Sequence, residues 1–194
     1  MSTVVQNQPM RSNNKIHPKK FGLYISFASI MMMFTGLTSA HIVRQSAGNW
    51  LEFKIPPIFF ISTVVILLSS ATIHLSYKSF LKGREQQYKW LMVLSAVLGF
   101  AFIVLQYEGW QQLNAIGVDL KGNPSGSFVY AISGIHAAHV LGGIGAIAVA
   151  LLHAFSLPFK VTPVRKLRFE LTAQYWHFVD FLWVYLIVFL VMQH

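Results

Sequence analysis

Residues 175–192 read YWHFVDFLWVYLIVFLVM, an apolar run in which Asp180 is the only carboxylate. A helix needs about 20 mostly apolar residues to cross roughly 30 Å of hydrocarbon. Because lipid offers no hydrogen bonds, the backbone groups of such a run must be satisfied internally, and the run predicts a transmembrane helix. It lacks the short polar–apolar alternation of a barrel strand, which argues against a β-barrel.

Other apolar runs of similar length precede this one, at residues 21–42, 57–77, 90–107 and 128–152. Hydrophobic residues make up 55% of the 194-residue chain and charged residues only 11%, against about 25% charged in soluble domains. The sequence therefore predicts an all-α polytopic membrane protein, with a five-helix transmembrane domain over residues 21–194 and a polar tail over residues 1–20. The absence of cysteine excludes disulfides and thiolate metal sites on this chain.

The basic residues predict the orientation of the chain in the membrane. Twelve of the 15 Lys and Arg residues fall in the N-terminal segment and in the second and fourth connections: Arg11, Lys15, Lys19, Lys20, Lys78, Lys82, Arg84, Lys89, Lys160, Arg165, Lys166 and Arg168. By the positive-inside rule the N-terminus is expected in the cytoplasm and the C-terminus outside. The chain has a net charge of +9; its basic charge is thereby assigned to the cytoplasmic membrane face, and no nucleic-acid partner is expected.

Ionisable side chains inside a span are costly and mark candidate functional sites. Asp180 and His177 are three residues apart, which places them on one helix face, and an imidazolium beside a carboxylate would make the charge tolerable. Two interpretations stay open for them. They form a proton relay or ligand contact, or they form a structural clamp to another helix or subunit.

A second histidine pair, His136 and His139, lies in the fourth span. Imidazoles ligate haem iron and metals, but they also hydrogen-bond across helix interfaces. A haem site would need a facing histidine, and His74 in the second span is the candidate, at a poorly matched depth. His41 and His153 lie near span ends, where water reaches them.

The fourth span also carries small residues at every fourth position, namely Gly134, Ala138, Gly142 and Ala146. Such a stripe permits close helix approach, which predicts tight packing against a neighbour. The chain lacks a nucleophile elbow, a phosphate loop and an HExxH motif. This favours a subunit of a larger membrane assembly over a self-sufficient enzyme.

Three motifs in order resemble subunit III of the haem–copper cytochrome c oxidases. The segment Tyr175–Asp180, followed by Trp183 and Tyr185, resembles the C-terminal motif of that family. Ser133–Gly143 resembles its glycine- and histidine-containing helix, and Ala101–Trp110 resembles the glutamine, glutamate and aromatic pattern before it. The resemblance extends from about residue 21 to the C-terminus.

The resemblance implies an accessory, non-redox subunit of a proton-pumping terminal oxidase that reduces O₂ in aerobic respiration. Such a subunit lies in the bacterial cytoplasmic (inner) membrane, packs on subunit I in a complex with subunit II, binds phospholipid and supports proton uptake and complex stability. Haems and copper belong to the partner subunits, so no cofactor, metal ligand or catalytic residue is expected on this chain. A further respiratory complex in a supercomplex is an additional candidate partner. Structural, lipid or subunit contacts are expected at His136, His139, Trp176, His177, Asp180 and Glu108.

The sequence departs from the common family pattern in two respects. Typical members have seven spans, and the five here align with the last five, so the pair that walls a lipid-filled cleft is missing. The family's buried glutamate has no counterpart, because residues 31–38 read MMMFTGLT. A haem b-bearing membrane anchor or quinol-reactive cytochrome subunit remains the alternative function, and a small transporter is disfavoured because matching helix breaks are missing.

Overall fold

The computed structural model describes residues 17–193, and these residues form α-helices joined by short connections. Within that range the helices are α1 (Pro18–Ser46), α2 (Ile58–Leu81), α3 (Glu85–Ala115), α4 (Pro124–Ser156) and α5 (Pro163–Gln193). Each of them is long and apolar enough to cross a membrane. The predicted all-α polytopic fold is confirmed. Most of the predicted polar tail, residues 1–16, and His194 lie outside the described residues.

The helices are longer than the apolar runs that predicted them. α5 begins at Pro163, well before the apolar run starts at Tyr175. Apolar composition marks only the part of a helix that crosses hydrocarbon, while the backbone stays helical where charged side chains reach water. Three helices begin with Pro after a capping residue. The Asn123 side chain accepts a hydrogen bond from Ser125 N at 2.9 Å ahead of α4, and the Thr162 hydroxyl accepts one from Arg165 N at 3.3 Å ahead of α5. His17 caps α1.

The helices pack around α5, which contacts α1, α2 and α4. α2 and α3 form a tight antiparallel hairpin through a turn in which Gly83 has a φ of 72°, a conformation that favours glycine. α3 packs on α4 as well. Among the described residues, α1 contacts α4 and α5 but neither α2 nor α3.

Small polar side chains hold the α2–α3 hairpin together. Ser62, Ser69 and Ser76 are spaced by seven residues in α2, and all are fully buried. The Ser69 hydroxyl donates to the Ser95 carbonyl at 2.9 Å, and the Ser76 hydroxyl to the Tyr88 carbonyl at 2.8 Å. Small residues let membrane helices approach closely, and their hydroxyls bond across the interface.

Candidate functional site

Trp176 of α5 packs between three other helices of the bundle. Its indole is 1% exposed, and Nε1 donates to the Ser69 hydroxyl of α2 at 3.1 Å. Its ring fills the space left by two glycines: a Cβ at Gly99 of α3 would lie 2.6 Å from Trp176 Cη2, and one at Gly143 of α4 would lie 2.8 Å from Trp176 Cε3. The side chain therefore touches three helices, each through a small residue.

His177 and Asp180 face α2 as part of a polar cluster inside the membrane span. His177 Nδ1 and the Ser70 hydroxyl are 2.6 Å apart, and the His177 and His74 ring centroids are 5.8 Å apart. Asp180 is 2% exposed, and neither carboxylate oxygen has a hydrogen-bond partner in the described part of the chain, although the Ser70 hydroxyl lies beside it. No ion pair joins His177 to Asp180 among these residues. The His177 imidazole instead shares a hydrogen bond with the Ser70 hydroxyl.

Aromatic side chains surround His136. It is fully buried and stacks on Trp183 with ring centroids 5.0 Å apart, and the Phe102 ring meets its edge at 5.8 Å. Neither ring nitrogen has a hydrogen-bond partner within residues 17–193. His139 Nδ1 lies 2.8 Å from the Ile135 carbonyl of its own helix. Both histidines also border Phe34 of α1.

Among the described residues, His74 does not form the haem site that was considered with His136 or His139. His74, the candidate from α2, contacts His177 on α5. Within the described residues, no group of three or more His, Cys, Asp or Glu side chains is arranged to hold a metal ion. Within the described residues, His136 contacts aromatic rings, while His139 and His177 lie within hydrogen-bonding distance of the Ile135 carbonyl and the Ser70 hydroxyl.

The small residues of the predicted α4 stripe differ in exposure. Ala138 and Gly142 are exposed, and Gly134 and Ala146 are half-buried. A Cβ at Gly142 would meet only the Tyr175 hydroxyl, at 3.6 Å, and one at Gly134 only Trp110, at 4.0 Å. Within this chain the tight approach uses Gly143 instead. Close packing through the predicted stripe stays a prediction, and its partner would lie outside the chain. Glu108 is exposed near the end of α3.

Sequence reasoning missed the polar contacts that orient the tryptophans and α3. The Trp183 indole donates to the Thr63 hydroxyl at 2.9 Å, and the Gln106 amide to the Ser62 hydroxyl at 3.0 Å. The heptad spacing of Ser62, Ser69 and Ser76 inside an apolar run was the available signal. Residues at that spacing share a helix face, so they predict an interface.

A sequence profile of the family described as cytochrome c oxidase subunit III matches residues 47–193. The described helices define a multi-pass, all-helical membrane protein. Because the profile covers most of the chain, the chain belongs to the cytochrome c oxidase subunit III family, and the predicted resemblance is confirmed.

Individual relatives have the same name. The chain is 27% identical over 187 residues to the probable cytochrome c oxidase subunit 3 of Nocardia farcinica, covering 91% of this chain and 89% of that one. It is 26% identical over 188 residues to cytochrome c oxidase subunit 3 of Corynebacterium diphtheriae, covering 93% and 91%. It is 26% identical over 178 residues to cytochrome c oxidase subunit 3 of Gallus gallus, covering 86% of this chain but only 66% of that one.

Proposed function

We propose that this chain is the accessory, non-redox subunit III of a proton-pumping haem–copper oxidase in a bacterial inner membrane. It packs on subunit I, in a complex with subunit II, and the haems and copper lie on those partners. It binds phospholipid and sustains proton uptake and the lifetime of the complex. The N-terminus lies in the cytoplasm and the C-terminus outside. The family match over residues 47–193 carries the proposal.

The geometry of the polar residues supports a structural role for the chain. Trp176 and His177, both in the motif that resembles the family, hydrogen-bond to Ser69 and Ser70 of α2. His136 is enclosed by aromatic rings, with Trp183 stacked on it. These side chains are engaged in contacts between helices, so the expected contribution of the chain is to hold a shape against its partners. We propose that His139 and Glu108 contribute contacts to lipid or to another subunit.

Affinity purification and visible spectroscopy test the proposal. The tagged chain is isolated in mild detergent from its own membranes, and it is also expressed alone. We expect haem bands and oxygen consumption in the complex, and no Soret band from the chain alone. Haem retained by the chain alone, and lost from a His136→Ala variant, would instead support the cytochrome alternative.

The variant Asp180→Ala distinguishes between the two interpretations of Asp180 and His177, a structural clamp and a proton relay. If Asp180 and His177 hold α5 to α2, the purified oxidase should start with nearly normal turnover. It should then lose activity several-fold faster or shed this chain, because the buried carboxyl group that lies beside the Ser70 hydroxyl is removed from the interface between α5 and α2. Oxygen-electrode traces and subunit staining over repeated turnovers measure both effects.

Glu52→Ala is the control, since that carboxylate is exposed in the connection between α1 and α2. It should leave lifetime and occupancy unchanged. An Asp180→Ala oxidase with normal lifetime and full occupancy would contradict the clamp. An immediate loss of proton pumping with an intact complex would favour the relay.

A further inference from the structure

An apolar cavity of about 640 Å³ opens between α3, α4 and α5 at the end of the bundle that carries the basic connections. Met92, Ala146, Ala150 and Phe169 form part of its wall. No residue of α1 lines it. Cavities that hold a small organic molecule or cofactor commonly measure about 300–1,000 Å³. This one is therefore large enough for a hydrocarbon chain.

The depth of the cavity corresponds to one leaflet. Its lining runs from Ala146 of α4 to Leu157, the residue that follows this helix, a distance of roughly 16 Å along the helix axis. This is about half of the ~30 Å hydrocarbon thickness of a bilayer. A lipid whose headgroup lies at the basic end would reach the bottom of the cavity with an acyl chain.

The mouth of the cavity carries positive charge that no carboxylate offsets. Arg165 and Arg168 are both part of its lining. The two glutamates at this end of the bundle are already engaged: Glu170 pairs with Lys20 at 2.5 Å, and Glu85 with Lys89 at 2.6 Å. Residues 1–16 contain no Asp or Glu at all. An anion is the partner that these guanidinium groups lack.

The arginine geometry suits a phosphate group. Arg165 Nη1 donates to the Pro158 carbonyl at 2.7 Å, which fixes one edge of its guanidinium on the α4–α5 connection. Within residues 17–193, its other side-chain N–H groups and those of Arg168 have no hydrogen-bond partner. Guanidinium groups bind phosphate oxygens through paired hydrogen bonds. His153, also in the lining, adds a further polar group there.

We propose that this cavity binds one anionic phospholipid of the same leaflet, with its phosphate at Arg165 and Arg168 and one acyl chain against Ala146 and Ala150. This inference deepens the lipid-binding part of the proposed function by giving it a site and a headgroup class. The charge at the mouth selects the headgroup, and the apolar wall accepts the chain.

Lipid exchange on the full chain tests the headgroup contact. The chain is purified in mild detergent, mixed with phosphatidylglycerol or phosphatidylcholine in micelles, and bound lipid is counted by native mass spectrometry. We expect a phosphatidylglycerol preference that falls about 30-fold in the double variant Arg165→Gln/Arg168→Gln, given about 1 kcal/mol per basic residue for anionic lipid. Lys82→Gln/Arg84→Gln removes the same charge from the same end of the bundle, outside the cavity, and should retain the preference.

A second pair of variants tests the chain contact without touching charge. Ala150→Leu narrows the cavity and should reduce bound phosphatidylglycerol to a similar degree. Ala148→Leu adds the same volume at an exposed position of α4 and should not. Equal loss in both charge variants, or unchanged binding in Ala150→Leu, would overturn the site.

The outcomes also separate this site from the wider proposal. Retention of phosphatidylglycerol by all variants would refute this cavity while leaving lipid binding elsewhere on the subunit intact. A chain that binds the lipid as expected but purifies without haem or oxidase activity would refute the proposed function and leave the site standing.

Discussion

Replacing Trp176 by alanine is expected to lower the free energy of unfolding of the bundle by about 3–5 kcal/mol, the range for removing a buried aromatic side chain. The indole is 1% exposed and is held between Gly99 and Gly143, and it donates to Ser69. Lipid tails are as apolar as a helix surface, so packing contacts hold membrane helices together. Truncation at this point removes contacts to three helices at once.

Unfolding of the purified chain by a denaturing detergent, followed by circular dichroism or tryptophan fluorescence, measures this loss. Trp90→Ala is the matched control, because Trp90 is 65% exposed near the start of α3. Its unfolding should shift little. A Trp176→Ala chain that unfolds at the same denaturant concentration as the control would show that α5 is held elsewhere.

The second large effect is expected from Gly99→Ala, which adds only a methyl group. The new Cβ would lie 2.6 Å from Trp176 Cη2 and 2.8 Å from Cζ2, distances that real Cβ atoms do not adopt. The rigid ring cannot yield as a flexible side chain would, so the helices must move apart. Overpacking of this kind costs typically 1–3 kcal/mol, even though alanine is a better helix former than glycine by about 1 kcal/mol.

A double variant identifies the cause. Gly99→Ala combined with Trp176→Phe should be more stable than the sum of the two single effects, because the smaller ring makes room for the methyl group. At Gly36, where a Cβ would meet nothing within 4 Å, the same substitution should be neutral or stabilising. Additive losses in the double variant would mean that Gly99 matters for a reason other than contact with Trp176.

The sequence predicted the number and class of the helices because length and apolarity are local properties. The same signal placed the start of α5 at Tyr175, twelve positions after the helix actually begins at Pro163. Hydropathy indicates which residues cross the lipid, and residues 163–168 are a basic stretch that is helical outside it. The family motif was also readable locally, since Tyr175–Asp180 is contiguous.

The contacts between residues of different helices could not be predicted from the sequence in the same way. His177 and Asp180 do share a face, as their spacing predicts, but the imidazole bonds to Ser70 on another helix. Small residues in α4 predicted close packing, yet the contact within the chain falls on Gly143 rather than on Gly142. One residue turns a helix by 100°, so the neighbour decides which glycine matters. Such choices depend on how α2, α4 and α5 are arranged together.

The position of α1 has a consequence for synthesis of the protein. Among the described helices α1 is translated before the others, but it contacts only α4 and α5. The α2–α3 hairpin can form as soon as both helices have been translated. The surface of α1 that contacts α4 and α5 has no partner helix in this chain until those two helices have been translated. α5 has 31 residues and follows the other described helices in the chain. When it is inserted, it contacts α1, α2 and α4. A chain that stalls before α5 therefore leaves α1, α2 and α4 without the contacts that α5 supplies.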